Sequence, residues 1–513
     1  MLESRWPKGP LIALLVLVPV LFLINPTLRS WVRQAKLAAD ASTGVVAVGP
    51  AQQGPYVVNQ INALAGRYWR RVGGADTGLP PRVNGSDEFA AAWLAQMGNN
   101  LRGLPYGVFT QPFPTTGFQG DPAKLPGRNI IVFVPGARHS RQAIVIGSHY
   151  DGESDSRGSA YDDTSGSAVT LGAARVLGAQ WRAGGLPATT VEFVLFDSEE
   201  QGLFGSEAYV SYLRQGAIMP KPAAMIDEEQ TGVGYPARPF GLAARSPMPA
   251  FAITTSLGSY IPKVLRPVIR PKPEALTLMR QRAVAARDSS FILLHQQFPT
   301  LLLRGGTRAA FVPSEVENVA VGTQKICCSD NLPFEALGLP TLTYAGDFRY
   351  YDFSRPSWAY PYDQPQDTPE ALACDTGGSP TAGTGLEAAL ALPVAMTVQL
   401  VHDYAPTTPT SQAIAALSMP ASVGVRTEFT AAALASVTWS FGDGGKAAGS
   451  PAFHLYARAG RYIVWAHSSA GTIFESIRVY KHLPRIPLPS SLPMPPPTIP
   501  WHPAQLRGIR GCP

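Results

Sequence analysis

At 513 residues the chain is too long for a single hydrophobic core, and its length predicts about two to four domains. An apolar fraction of 45% is that of a globular protein, while 49 Gly and 49 Pro point to long loops and at least one non-globular segment. The formal net charge of +6 sits at the ends: the first 40 residues carry +3 and the last 33 carry +4, which leaves the body near −1. A nearly neutral body has no electrostatic footprint for nucleic acid, so that class of partner is excluded.

Gly9 to Leu28 is a run of 20 residues without a charge. As a helix it would be about 30 Å long, one bilayer core. Residues 1–45 are therefore read as a signal anchor with its linker, and a cleaved signal peptide with a cleavage zone at Ala38 to Ser42 is the alternative. Either reading puts the body outside the cytoplasm, periplasmic or extracellular, held at the membrane or secreted. Two basic residues precede the run and three follow it, so charge does not set its orientation. Cys327, Cys328, Cys374 and Cys512 are too few for a disulfide framework and form no CxxC pair. In an oxidising compartment Cys327 or Cys328 can pair with Cys374.

From 50 to about 405, apolar strand-like runs alternate with helical stretches. NIIVFVPG, QAIVIGSHYDG, TTVEFVLFDSEE and PAAMIDEEQ read as strands, and SGSAVTLGAARVLGAQW and GSEAYVSYLRQG have the helical period. This alternation predicts an α/β sheet with helices on both faces. Residues 415–482 change character: VTWSFGDGG and FHLYARAGRYIVWAH are strands with alternating aromatics and Gly-rich turns, which fits a small all-β sandwich. The tail, 483–513, is too Pro-rich to fold and reads as extended polyproline-type chain.

Chemistry in such sheets collects at the carboxyl ends of the strands. His149 and Asp151 close one run, two residues apart and so on one face. There the carboxylate can orient the imidazole or a neighbouring group. Asp162 and Asp163 stand together before a small-residue helix start, where two adjacent carboxylates repel unless a cation or a helix N-terminus compensates. Glu199 and Glu200 close the next run, and Asp227 the one after. Four successive runs thus deliver His, Asp, Glu and Asp to one sheet edge, which a shared site for a divalent metal explains economically. Ser165 lacks the GxSxG elbow of a serine nucleophile.

The order SHYDG, YDDTSGSA, FDSEEQGLFGS and ID resembles the zinc-dependent exopeptidases of the aminopeptidase Y and bacterial leucine aminopeptidase family, over about 127–372. The resemblance implies a mixed central sheet flanked by helices, of the phosphorylase/hydrolase-like kind, and a peptide substrate. It implies that His149 and Asp227 hold one zinc, that Asp162 bridges two metals and that Glu200 ligates the second. Glu199 is then the general base, and Asp151 orients the site. The family's last ligand is a histidine in a Ser-Asp-His frame, and SDNLPFEALGLPTL fits that frame with Asn331 in the histidine's place. Asp162, Glu200 and an amide oxygen make an all-oxygen set, which suits manganese, magnesium or calcium better than zinc. The expectation is one firmly held Zn2+ and a second metal that is weak, of another kind such as Mn2+, or absent. His295 is a further candidate donor. The implied activity is that of a metallopeptidase, an aminopeptidase. Carboxypeptidase or glutaminyl-cyclase-like chemistry, or a non-catalytic binding role, remain the alternatives. Residues 439–462, with WSFGDG and HLYARAGRY, resemble the polycystic-kidney-disease (PKD) domain, an immunoglobulin-like sandwich, with Trp439 in its core and Gly442 and Gly444 in its turn.

Overall fold

The computed structural model describes residues 53–68, 71, 85–114, 126–136, 142–153, 156, 158–214, 221–232, 251–254, 273–298, 300–303, 306–322, 329–345, 365–375, 384–408, 421–424, 426–429, 436–449, 452–468 and 471–481. The apolar run at 9–28, the Pro-rich tail, and Cys327, Cys328 and Cys512 lie outside them.

Eight strands form the central sheet: β1 (Gly107–Pro114), β2 (Pro126–Val134), β3 (Gln142–His149), β4 (Thr190–Phe196), β5 (Lys221–Glu228), β6 (Phe251–Thr254), β7 (Val319–Gly322) and β8 (Thr341–Ala345). Their order is β1-β2-β4-β3-β5-β8-β6-β7. The sheet is mixed, since β3 runs parallel to both β4 and β5 while β1, β2 and β4 pair antiparallel. Helices α1 (Gln53–Ala65), α2 (Ser86–Asn100), α3 (Ser165–Gly184), α4 (Phe204–Arg214), α5 (Pro273–Gln297), α6 (Asn331–Glu335), α7 (Pro369–Asp375) and α8 (Thr384–Tyr404) complete this part of the chain. It is the mixed α/β fold, with a central sheet flanked by helices, that the sequence predicts.

The strands are continuous apolar runs because both faces are covered. Along β3, Ile144 and Ile146 join the larger core with Val57, Trp93, Leu171 and Leu390, whereas Val145 joins a second core with Phe196, Tyr209 and Phe334. The period of two thus separates two layers. Helix α3 is approached closely near its middle: a Cβ at Gly172 would lie 2.8 Å from Val57 and 2.9 Å from Val394. It ends at Gly185, whose φ of 104° turns the chain while its N–H returns to the Trp181 carbonyl at 2.9 Å. Among the described residues one helix, Gly385–Tyr404, is long and apolar enough to cross a membrane. Most of its apolar stretch is buried inside the protein, and it packs on α1, α3 and α5 as a core helix.

Residues 421–481 form a smaller all-β part. β9 (Ala421–Ser422), β10 (Arg426–Phe429), β11 (Thr438–Ser440), β12 (Lys446–Ala448), β13 (Ala452–Leu455), β14 (Gly460–Ser468) and β15 (Gly471–Tyr480) make a five-stranded sheet, β9-β15-β14-β11-β12, and a β10-β13 pair. They enclose their own core of Phe429, Trp439, Phe441, Tyr456, Val464 and Ile477. Trp439 is buried there and donates its indole N–H to the Gly449 carbonyl at 2.9 Å. Gly442 and Gly444 take φ of 84° and 96° in the turn after β11.

Candidate metal centre

The strand ends meet at the carboxyl edge of the sheet. Register places His149 beside Phe196 of β4 and Gly147 beside Asp227 of β5, so residues just past β5 come level with His149. His149 is fully buried. Its Nδ1 lies 3.2 Å from the Asp151 carbonyl oxygen and its Nε2 lies 2.8 Å from Asp162 Oδ1. Nδ1–H can donate to the carbonyl and Nε2–H to Asp162; a cation that displaces the Nε2 proton meets an imidazole whose Nδ1–H is already held, the tautomer a metal ligand needs. Burial disfavours the imidazolium, but Glu229, Asp151, Asp162 and Glu199 outweigh it and raise the His149 pKa well above its usual value.

Asp151 was expected to orient the imidazole or a neighbouring group, and the structure divides that task. Its carbonyl meets the ring, whereas its carboxylate, 3.5 Å from Nδ1, accepts the backbone N–H of Glu199 at 3.1 Å and of Glu200 at 3.2 Å. Both oxygens are thus spent in pinning the Glu-Glu turn beside His149. The donor atoms of His149, Glu199 and Glu200 lie within 4.8 Å of one another, and the two glutamates are half-buried rather than sealed. Withdrawal from water raises the Glu199 carboxyl well above the usual range, against the favourable charge of His149.

Asp162 and Asp163 are presented by the turn into α3 and joined by a cis peptide bond. The Asp367 carboxylate accepts the N–H groups of Tyr161 at 2.9 Å and Asp162 at 3.2 Å. Asp162 Oδ2 accepts from Gln230 Nε2 at 2.7 Å. Asp163 Oδ1 accepts from Gly166 N–H at 2.8 Å and Gln230 N–H at 3.2 Å, while its Oδ2 is buried without a hydrogen bond. Gly166 is required here, since a Cβ would come within 2.5 Å of Asp163 Oδ2 and strike the Glu228 carbonyl. Burial, with the nearby Glu229 charge, pushes Asp162 up to about 6 and Asp163 well above its ordinary value.

Asp227 Oδ2 accepts from Ser329 at 2.9 Å and its Oδ1 has no partner. The same Ser329 hydroxyl lies 2.7 Å from Glu229 Oε2, and one hydroxyl proton cannot fully serve two carboxylates. Asn331 is fully buried at the start of α6. Its Nδ2 donates to Glu335 Oε1 at 2.6 Å, which leaves its Oδ1 buried and without a hydrogen bond. His295 is used elsewhere, its Nδ1 lying 2.9 Å from the Ala310 carbonyl.

The structure therefore brings His149, Asp162, Glu199 and Glu200 together, with Asp227 joined through Ser329. Glu229, Gln230, Ser329, Asp367 and Arg71 were not singled out from the sequence. For Glu229 a signal existed: it is two residues past Asp227 and so shares its face. One imidazole among buried carboxylates, with unpartnered oxygens on Asp163, Asp227 and Asn331, is a donor set that fits a divalent cation.

Residues 129–307 match the model of peptidase family M28. Leucine aminopeptidase 1 of Colletotrichum graminicola is 33% identical over 138 residues, a match that spans 25% of this chain and 31% of that protein. Solved structures similar to this chain include three more distant proteins. The LapA aminopeptidase of Legionella pneumophila is 17% identical, with a TM-score of 0.41 over 68% of this chain and 69% of that one. For a zinc aminopeptidase from Bacillus subtilis the values are 12% and 0.42, over 70% and 96%. For glutaminyl cyclase of Porphyromonas gingivalis they are 14% and 0.42, over 68% and 98%. The segment that presents His149, Asp162, Glu199, Glu200 and Asp227 is thus the segment that matches peptidase family M28.

Proposed function

We propose that the chain is a metal-dependent exopeptidase, an aminopeptidase that removes N-terminal residues from peptides, with Glu199 as its general base. One observation carries this reading: the Asp151 carboxylate fixes the backbone of Glu199 and Glu200 beside His149, at the least buried side of an otherwise sealed acidic cluster. Zinc would be held by His149 with the carboxylates around it, and a second, weaker ion by Asp162, Glu200 and Asn331. Bound there, a divalent ion would supply Lewis acidity, which favours ionised water and polarises the scissile carbonyl. Glu199 takes the proton from the attacking water and returns it to the leaving amine. Asp151 keeps Glu199 in place, and Asp367 keeps Asp162 in place. The uncharged run at 9–28 would hold this domain at the membrane on its extracytoplasmic side, or direct its export.

The test is Glu199→Gln, with metal content measured beside hydrolysis of aminoacyl and N-blocked peptides. Expected is a loss of about 100- to 10,000-fold in kcat, the usual contribution of a general base, with metal content unchanged. Unaltered hydrolysis sinks the mechanism. Cleavage of N-blocked peptides from the C-terminal end moves the reading to a carboxypeptidase, and cyclisation of N-terminal glutamine moves it to a cyclase.

A further inference from the structure

We propose that Glu229 is itself a metal ligand, paired with His149, and that it supplies the firmly held ion with a carboxylate beyond the expected set of His149, Asp162 and Asp227. The inference rests on the reading of this edge as a metal centre, and it changes which side chains make it.

Glu229 is 5% exposed and its Oε2 lies 3.7 Å from His149 Nε2, the same nitrogen that meets Asp162 Oδ1 at 2.8 Å. Two donors on one tetrahedral ion with bonds of about 2.0 Å stand roughly 3.3 Å apart, between these two separations. The donor atoms of His149, Asp163 and Glu229 all lie within 4.8 Å of one another, whereas Asp227 is in neither compact group of donors found among the described residues. The carboxylate is also aimed. Ser329 donates to Glu229 Oε2 at 2.7 Å, and Glu229 and Asp227 compete for that one proton. Asp163, a member of the same group, has its Oδ2 buried with no hydrogen bond. A buried lone pair without a proton to meet is costly, and a cation between the three groups removes that cost.

Strand geometry makes the pairing possible. Asp227 and Glu229 are on one face of β5 and its continuation, and the parallel register carries Glu229 level with His149, two residues beyond the Gly147–Asp227 pair. Glu228, between them, points to the opposite layer, where Thr397 donates to it. The consequence is a centre whose first ion does not depend on position 331: an imidazole and two or more carboxylates hold it, whatever Asn331 does.

The experiment is metal titration of the full chain by calorimetry with zinc, and visible absorption with cobalt, on wild type, Glu229→Gln, Glu229→Asp and Ser329→Ala. Loss of an outer partner costs about 10- to 100-fold in affinity, and Ser329→Ala is expected in that range. Glu229→Gln, which keeps an acceptor for Ser329, is expected to lose more than about 100-fold and to change the cobalt spectrum. Glu229→Asp, which keeps the charge on a shorter arm, recovers part of the affinity and guards against misfolding. If Glu229→Gln binds zinc within about threefold of wild type, with an unchanged cobalt spectrum, the assignment is overturned while the peptidase reading stands. A wild-type chain that binds neither ion overturns both.

Discussion

At the scale of single residues the open position is 331. The Asn331 amide nitrogen is committed to Glu335 at 2.6 Å, and Glu335 also accepts from Thr341 at 2.9 Å, so this amide has one orientation and its oxygen faces away from Glu335. An imidazole could keep the donor to Glu335 through one nitrogen and present the other as a ligand, the arrangement by which ligating histidines are usually held. Asn331→His is therefore expected to raise zinc bound per chain from one towards two, read by elemental analysis after dialysis. The larger ring in a site with no exposure costs about 1–3 kcal/mol of stability by crowding, read from the unfolding midpoint. Metal content that stays at one would show that the side chain at 331 does not reach the second ion. This experiment is independent of Glu229, which serves the first.

At the scale of elements, the described residues between β3 and α3 carry Asp151, Asp162 and Asp163, and the buried cation of Arg71 holds them. Arg71 is 1% exposed. It donates to the carbonyls of Tyr150 at 2.6 Å, Tyr68 at 2.9 Å and Gly158 at 3.0 Å, and to the Thr164 hydroxyl at 2.9 Å. Its own carbonyl accepts from Gly152 at 2.6 Å, and its guanidinium lies 4.3 Å over the Phe89 ring. Burial lowers its pKa to about 10, with Asp151 and Asp367 the main charges that hold it up, so it stays cationic at neutral pH. A lysine has the charge but not the planar fork. Arg71→Ala is expected to cost about 3–5 kcal/mol, as removal of one partner from a buried charge network does. Arg71→Lys should cost less stability yet still weaken metal binding by about 10-fold or more. Equal metal affinity in Arg71→Lys and wild type would remove Arg71 from the positioning of the site. The same element shows what a sequence reveals. The strands, α3 and the placement of His149 and Asp151 were legible because periods of two and 3.6 are local, and the Glu-Glu and Asp-Asp pairs because they end those periods. Arg71 and Asp367 were not legible: they reach the turn from about 80 and 200 residues away, and nothing near them marks the contact. Ser329 was read only as part of a frame around position 331, because its two acceptors converge only when β5 and α6 are folded together.

At the scale of the whole molecule, the fold stores carboxylates where water is excluded. Burial raises Asp162 to about 6, Asp330 to about 7, Glu192 to about 7 and Glu228 to about 8. His149 and Ser206 oppose the shift at Asp330, Tyr209 opposes it at Glu192, and Thr397 opposes it at Glu228. In the unfolded chain such groups ionise near pH 4. Between about pH 4 and pH 8 the native state therefore binds more protons than the unfolded state, and stability must fall as pH rises. His149 acts in the same direction: its pKa is raised, so its contribution is complete below about 6.5 and is lost as pH passes its folded value. A divalent ion reverses the trend at the metal centre alone, since its carboxylates bind metal ionised and proton release makes binding tighter as pH rises. Glu192 bonds Tyr209 and Glu228 bonds Thr397, apart from the donor groups of the centre, and their share of the slope remains. Unfolding midpoints measured at pH 5, 6.5 and 8, with a chelator and with zinc, should thus diverge: the metal-free protein loses stability steadily and the zinc-loaded protein loses less. A gap between the two that stays constant across this range would mean that the centre's acids are not what zinc relieves. A gap that widens with pH would tie the stability of the fold to the same acidic cluster assigned here to metal binding.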